Sequence, residues 1–600
     1  MIIKKTSSNG VSTKKSWLWI PTLFFAEGLP YFIVLTVSVF LFKRFGISTS
    51  DIIAYTGLFY LPWVLKPFWS PLVDIVKTKR TWICYMQLLM AIGLGGIALV
   101  MMLPNFFEYS IFFFWLIAFA SATHDISVDG FYILSLNKKQ QAGFIGARTI
   151  FYQVALLIGQ SLIILFAENL EPYVSVGAGE FKIVATPDKY ISETAKLESF
   201  NYKPITGPLR IIAGKKSIEI GTDPKMAEEI ASFREIIHNF NLMNNFSNDE
   251  SSILSPSEMN NKKVGNVGLI NLHLSKKPDK NEEYNVSVEQ VDGSEKIKII
   301  EGGTLKFNSK NWNKPALVLA QVDSSIFQRT EAVFRIQSNQ VQFAWIIPFG
   351  ICSGIFLLLF IFHKRILPYP YEDKSVAQKY NLSFWKNYVR IIVRFFEKKK
   401  VVAIILFLVL YLFVETQISK TSAMFLADKR IFGGLGLPGD IVKYLLTYYN
   451  IISFGAGILV GGLILNKGKL RAWLLPMAVV MNIPSLLYAY LAFAQPTDYI
   501  IIYACVLCQQ LCFGFGTAGY ILYMINVAEG EFKTSHYSIA TGFMTLGIII
   551  SGMLSIPISK QIGYKYFYFS LILFVIPVIS IIKYLPFYEN TTDTNSTNIE

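Results

Sequence analysis

Ionisable side chains recur inside apolar runs long enough to cross a bilayer. A charge at that depth costs roughly 2.5–3.5 kcal/mol even on the lenient insertion scale, so it faces a polar path or a partner. Glu27 lies about ten residues into the first run, and Gly28-Leu29-Pro30 behind it can bend or open a helix. The fourth run carries His124, Asp125 and Asp129. Asp125 and Asp129 are four apart and share a helical face, with His124 beside it. Two carboxylates close together in low dielectric cannot both ionise cheaply, so the pair is expected to share a proton. Such a group can load and release that proton. A structural role competes with this: Asp129 pairing with Arg148 or Lys66, and Glu27 pairing with Lys66.

A matching set lies far down the chain. Glu415, Gln417 and Lys420 share one run, where an intrahelical Glu415–Lys420 pair is the alternative, although a separation of five suits it less than four. Gln153, Gln160, Gln509 and Gln510 are candidate contacts to sugar or amide groups, or interhelical packing bonds. No P-loop, HExxH, GxSxG or paired CxxC set is present, which argues against ATP-driven work and for no catalytic or metal site.

Composition sets the elements that must position these groups. Of 600 residues 53% are hydrophobic and only 16% charged, against about a quarter in soluble chains. The net charge of +14 resembles a nucleic-acid signal, but most of the excess Lys and Arg flank apolar runs, where they set topology. No nucleic-acid partner is expected. Cys84, Cys352, Cys505, Cys508 and Cys512 all fall in apolar runs, so no disulfide framework is implied. The first run is too long for a signal-peptide core and ends at Lys43-Arg44 without a cleavage pattern.

A span needs roughly 20 apolar residues. Twelve candidates lie near 17–42, 52–73, 81–103, 109–135, 142–166, 341–363, 401–427, 441–465, 472–494, 498–527, 537–559 and 566–586. The expected fold is all-α: two six-helix bundles (1–166 with 341–363, and 401–586), a polar insert at 167–340, a linker at 364–400 and a tail at 587–600. Basic residues concentrate in the N-terminal tail (Lys4, Lys5, Lys14, Lys15) and alternate loops (Lys77, Lys79, Arg80; Lys138, Lys139, Arg148; Lys364, Arg365; Lys467, Lys469, Arg471). Lys43, Arg44, Lys429, Arg430, Lys560 and Lys565 are exceptions. This places both termini in the cytoplasm and the insert outside. In the linker, Phe384 to Phe396 mixes apolar residues with Arg390 and Arg394, as an amphipathic helix on the inner leaflet would. A solvated linker is the alternative.

The halves carry a faint repeat: Glu27 with Glu415, Asp51-Ile52 with Asp440-Ile441, and Asp74 with Lys79-Arg80 against Asn466 with Lys467, Lys469 and Arg471. In the insert, an Asp-capped helix is expected over 223–243 and a loop over about 244–283. Alternation at 284–288, 296–300, 304–307 and 316–320 then reads as a small β-sandwich. The run Leu305 to Pro315 resembles the strand and turn of Calx-beta-type domains. Only Asp323 stands near their acidic calcium cluster, which favours an inert or partner-contacting sandwich.

Three stretches carry a wider resemblance: Gly28-Leu29-Pro30-Tyr31, Tyr60 through Asp74, and Ala122 through Gly130. They resemble the AmpG-type muropeptide permeases, a branch of the major facilitator superfamily related to the acetyl-coenzyme A transporters. The resemblance implies the twelve-helix superfamily fold and alternating access. It also implies a gate role for Asp74, Lys79 and Arg80, and proton-driven symport of muropeptides or amino-sugar compounds in peptidoglycan recycling across a bacterial inner membrane. Asn466 departs from the motif's acid in the second half, and the insert is not part of the pattern. The expected chain is therefore a monomeric carrier without cofactor. Its partners are a small solute, protons and lipid, and its path residues Glu27, Lys66, His124, Asp125, Asp129, Gln153, Glu415 and Lys420. Two rivals stay open: a membrane enzyme acting on lipid-linked substrates, and a sensor or assembly protein working through the insert.

Overall fold

The computed structural model describes residues 13–588 except 46, 48, 104, 160–162, 175–178, 188–208, 248–262, 279–282, 339–340 and 376–382. Lys4, Lys5, Gln160, most of the expected 244–283 loop's first half and the end of the tail lie outside the described residues. The membrane part is a run of apolar helices: α1 (Thr13–Arg44), α2 (49–76), α3 (Lys79–Val100), α4 (Phe106–Ser135), α5 (Lys138–Leu157) and α6 (Ile163–Val174). After the insert, whose one long helix is α7 (Ala227–Met243), come α8 (Val341–Ile366), α9 (Phe384–Phe396), α10 (Val401–Ala427), α11 (Gly439–Lys467), α12 (Leu470–Ala494), α13 (Tyr499–Ala528), α14 (Lys533–Ser570) and α15 (Ile572–Ile582). Nine of these are long and apolar enough to cross a membrane among the described residues. The chain is a multi-pass membrane protein.

Proline shapes the helices that carry the charges. Pro30 inside α1 removes an N–H, and the next turn, Ile33–Val37, widens to π geometry. In α2, Pro62, Pro67 and Pro71 flank Lys66, and a 3-10 turn, Gly57–Tyr60, precedes them. Glycine sets the closest helix contacts. A Cβ at Gly457 would lie 1.9 Å from the Leu511 carbonyl oxygen, and one at Gly514 2.1 Å from that of Phe454, so α11 and α13 touch backbone to backbone.

The two halves meet through α5 on α11 and α2 on α14. Gly146 and Gly462 form the first seam, Pro67 and Gly542 the second. The hydrophobic cores reveal how far the halves are joined. One core spans both, running through Trp19, Phe24, Tyr132 and Ile145 to Phe407, Leu465, Tyr523 and Ala540. All of these lie toward the same end of their helices. At the opposite end the halves keep separate cores, one around Val34, Ile97, Phe114 and Trp345, the other around Leu426, Leu445, Tyr488 and Ile502. Among the described residues, the core shared by the two bundles lies at one end.

The insert leaves and rejoins the bundle at the split end, through α6 and α8. It is a sandwich of two sheets. Its strands are β1 (Gly179–Thr186), β2 (Ile211–Ala213), β3 (Ser217–Gly221), β4 (Lys225–Met226), β5 (Lys263–Val264), β6 (Val267–Leu274), β7 (Tyr284–Gly293), β8 (Ile297–Glu301), β9 (Thr304–Phe307), β10 (Ala316–Val322) and β11 (Thr330–Ser338). The sandwich sheet orders are β3-β1-β11-β7-β9 and β2-β6-β10-β8, and β4 pairs with β5 as a separate two-stranded sheet. Their inner faces share a core of Phe181, Ile270, Leu272, Val286, Val318 and Phe334. Helix α7 lies on β10, where the Asn241 amide donates to Leu317 O at 2.8 Å and accepts from Leu317 N at 3.0 Å.

Several boundaries differ from the sequence reading. The helix before the insert continues to Val174, past the expected end at 166. The expected 244–283 loop contains β6, which is buried along most of its length, with Asn271 and His273 between Ile270, Leu272 and Leu274. Asp223 does not cap α7: Lys225 and Met226 extend to pair with Val264 and Lys263, and the helix starts without a side-chain cap. The last two expected spans meet at Gly563, whose φ of 73° ends the regular turns inside the expected gap, and the first of them reaches back to Lys533. The Asn311 amide ties the turn after β9 to Asn245 O at 3.0 Å, while the Asp323 carboxylate accepts from Ser325 N at 2.8 Å.

Candidate functional site

Four helices of the first half bring five buried ionisable groups together. Glu27 comes from α1, Lys66 from α2, Asp125 and Asp129 from α4, and Arg148 from α5. The four-residue spacing on α4 aims both aspartates to one side, and one carboxylate oxygen of each of Glu27, Asp125 and Asp129 lies within 4.8 Å of the others. Lys66 pairs with Asp125. Arg148 donates to Asp129 at 2.6 Å. The Arg148 guanidinium also sits over the Phe24 and Tyr132 rings, 4.5 and 4.9 Å from their centroids. Thus the pairing alternative holds for Asp129, while the expected Glu27–Lys66 pair is replaced by Lys66–Asp125.

The charge balance follows directly. Three carboxylates meet two permanent cations, and Glu27 is the one without a cation. Its Oε2 is buried and has no hydrogen-bond partner. A buried, uncompensated carboxylate is the costliest arrangement in the cluster, and taking up one proton makes the set neutral. The three carboxylates are also the one group of metal-ligand type among the described residues. A metal ion there competes with Lys66 and Arg148, which already hold two of the three carboxylates.

The second half holds a counterpart. Glu415 on α10 is buried, accepts a hydrogen bond from Gln509 on α13, and leaves Oε1 without a partner. Gln510 donates to Gln509 at 2.9 Å. Lys420 does not pair with Glu415: it is exposed on α10, and its chain lies against Gly552 of α14. Gln153 is half-buried on α5.

His124 turns away from the acids. Its Nε2 lies 3.0 Å from the Gln87 amide nitrogen, which lies 2.9 Å from His363 Nδ1, and His363 Nε2 is 3.0 Å from the Thr22 hydroxyl. This chain of polar groups joins α1, α3, α4 and α8 through the bundle interior. His124 thus belongs to this chain of polar groups, on the far side of α4 from the carboxylate pairs. Gln87 and His363 escaped the sequence reading, since a single Gln or His in an apolar run carries no spacing signal.

At the fused end, Asp74 closes the seam between halves. It takes Lys79 at 2.6 Å from its own half. From α14 it accepts the Ser535 N–H at 3.0 Å and the Ser535 hydroxyl at 2.5 Å. The N-terminal turn of α14 thus presents its dipole to the carboxylate. Arg80 turns toward α8. It lies over the Tyr369 ring at 3.9 Å and donates to Leu367 O at 3.3 Å, tying α3 to the end of α8. Asp373 in the loop after α8 accepts the backbone N–H groups of Lys79 and Arg80. Burial pushes its carboxyl above the usual range. Across the pseudo-repeat, Asn466 at the end of α11 packs near Gly143 at the start of α5. Asp74→Asn removes the charge facing the α14 dipole. The expected outcome is faster hydrogen exchange at 533–540 in the variant than in the wild type, by about fivefold for about 1 kcal/mol lost from that contact.

A six-helix bundle fused at one end to a second, with charges buried near the seam, can be compared with known architectures. A crystal structure of a major facilitator superfamily transporter, FucP, in the outward conformation, aligns over 94% of this chain and 97% of its own, with a TM-score of 0.52 and 10% identity. The chain has the major facilitator superfamily fold. A structure of the E. coli fucose:proton symporter FucP gives the same TM-score at 9% identity, over the same shares of both chains. The BT1 family model matches residues 27–162. Putative transporter AmpG 2 of Rickettsia typhi is 25% identical over 230 residues, 38% of this chain and 52% of its own length. Its counterpart in Rickettsia prowazekii is 23% identical over the same shares. The chain spans about half the length of these curated relatives. Within the major facilitator fold, the BT1 match contains Glu27, Lys66, Asp74, Asp125, Asp129 and Arg148 together, while Glu415 and Lys420 fall outside it.

Proposed function

We propose that this chain is a secondary transporter that takes up a small polar solute, such as a muropeptide or amino-sugar compound, together with protons. The observation that carries the reading is Glu27: a buried carboxylate beside two cation-paired aspartates, without a cation of its own. Protonated, the cluster is neutral; deprotonated, it holds one net negative charge in low dielectric. That difference favours opposite arrangements of the surrounding helices, which is how a proton gradient can drive alternating access. Glu415 and Gln509 give the second half a polar group at the matching helix position, where solute can be held between the bundles.

Twelve spans complete the fold: the nine long apolar helices, 49–76, the α5–α6 pair, and 564–582 beyond the Gly563 break. Basic loops at the fused end support a cytoplasmic placement for it. The split end then faces outward with the insert, which suits a bacterial inner membrane protein poised to accept solute from outside. Asp74, Lys79 and Ser535 close the cytoplasmic side. The relatives named as transporters support this reading over an enzyme.

The test is a solute screen in proteoliposomes under an imposed inward proton gradient, muropeptides and amino sugars first. Gradient-dependent uptake of one class supports the proposal; uptake of none, with product formation from lipid-linked substrates instead, favours the enzyme. The insert gives a separate prediction. Removing 179–338 should leave measurable flux, because the path residues all lie in the bundles. A protein that works through the insert loses all response.

A further inference from the structure

Helix α9 has three faces where a surface helix ordinarily has two. At 100° per residue, Trp385, Val389, Ile392, Val393 and Phe396 fall within about a 100° arc. Trp385, Val389, Val393 and Phe396 are exposed, Trp385 at 71%. The next arc carries Lys386, Arg390 and Arg394, and the helix runs into Lys398-Lys399-Lys400. Glu397 is the one acid from 384 to 400. The third arc, Asn387, Ile391 and Phe395, is buried against the protein.

That buried arc spans the seam between the halves. The Tyr388 hydroxyl donates to Phe68 O of α2 at 2.6 Å. His536 of α14 lies 3.2 Å from Ile391 O. Ile391 packs with Ile75 of α2 and Phe532, next to α14. Arg390 pairs with Glu531 at 3.4 Å, and Lys398 donates to Glu529 O at 2.9 Å. Asp74 and Ser535, which close the seam, lie one residue from Ile75 and from His536. So one short helix grips both sides of the closure and turns an apolar stripe, bordered by cations, away from the protein.

We propose that α9 is a lipid-held clasp: its exposed stripe lies in the cytoplasmic leaflet, its basic arc binds anionic headgroups, and this contact steadies the α2–α14 closure. The inference rests on the orientation given under the proposed function, but not on any solute being carried. Opposite charge on the leaflet and the short link from α9 through residues 397–400 into the membrane-spanning α10 identify the occupant as a lipid surface. When the closure opens, α9 must let go of α2 or α14, and lipid binding that orders α9 opposes that release.

The full chain is reconstituted into vesicles of phosphatidylcholine alone or with phosphatidylglycerol. Bromine-labelled acyl chains should quench wild-type fluorescence more than that of Trp385→Phe. Phosphatidylglycerol should slow hydrogen exchange at 70–80 and 530–540 about fivefold or more, since a basic residue near such a surface contributes about 1 kcal/mol. K386Q/R394Q/K399Q/K400Q should lose that slowing, and the charge-keeping K386R/R394K/K399R/K400R should retain it. Equal quenching in wild type and Trp385→Phe overturns the lipid contact. Equal slowing in the glutamine variant, or none in the wild type, overturns the headgroup coupling. A chain that passes these tests yet moves no solute leaves the clasp standing and removes only the transport reading.

Discussion

Glu27→Gln should abolish uphill accumulation driven by a pH gradient while leaving the protein folded and able to exchange solute across the membrane. The substitution keeps the side chain's size and gives the position an uncharged group like the protonated acid. Asp125 and Asp129 keep Lys66 and Arg148. The buried cluster becomes permanently neutral, so it no longer distinguishes the two sides of the membrane. Loss of a positioned proton-transfer group is worth about 10²-fold or more. Gradient-driven uptake should therefore fall at least that far, while solute counterflow, which needs no net proton movement, persists. Asp125→Asn is less informative, because it strands Lys66 as an unpaired buried cation and adds a folding defect. Wild-type accumulation by the Glu27→Gln variant would remove Glu27 from the coupling step.

Arg148→Met has the largest expected effect on stability. Arg148 is 8% exposed, and its guanidinium is held by Asp129 and the faces of Phe24 and Tyr132. Removing it leaves Asp129 buried without a cation beside two other carboxylates. Breaking a buried pair from one side costs about 3–5 kcal/mol, whereas replacing both partners by uncharged groups is often near neutral. Asp129→Asn/Arg148→Met should thus recover most of the loss. Thermal unfolding in detergent measures this, with the double variant expected well above the single one. A double variant no better than Arg148→Met would show that Arg148 acts mainly through its ring contacts or Tyr537, which lies beside it on α14.

The charged residues were legible because hydrocarbon makes them conspicuous. Glu27, Asp125 and Glu415 interrupt long apolar runs, and the four-residue step from Asp125 to Asp129 fixes their common side. Partner choice was less legible. Lys66 and Arg148 were both visible, yet which acid each takes depends on how α2 and α5 pack on α4, which no local spacing encodes. Histidine misled for the same reason: His124 sits next to Asp125 in sequence but faces Gln87 across the bundle. In the insert, the half-exposed strands β7 to β9 announced themselves by alternation. Strand β6 alternates too, with Asn271 and His273 between Ile270, Leu272 and Leu274, but it follows a polar stretch and reads with it as loop. The break at Gly563 falls in the gap expected between the last two spans, 559 to 566. Lys420 was expected near Glu415 from proximity along the chain, but the helix turns it to the exposed side.

The central claim is that solute and proton cross together through a cluster that needs one proton to be neutral. A pH-sensitive dye trapped inside proteoliposomes tests it most directly, with the transported solute added outside and no gradient imposed. Coupled uptake predicts acidification of the lumen that follows solute entry in the wild type and is absent from the Glu27→Gln variant. Solute entry with no change in lumenal pH would contradict the account.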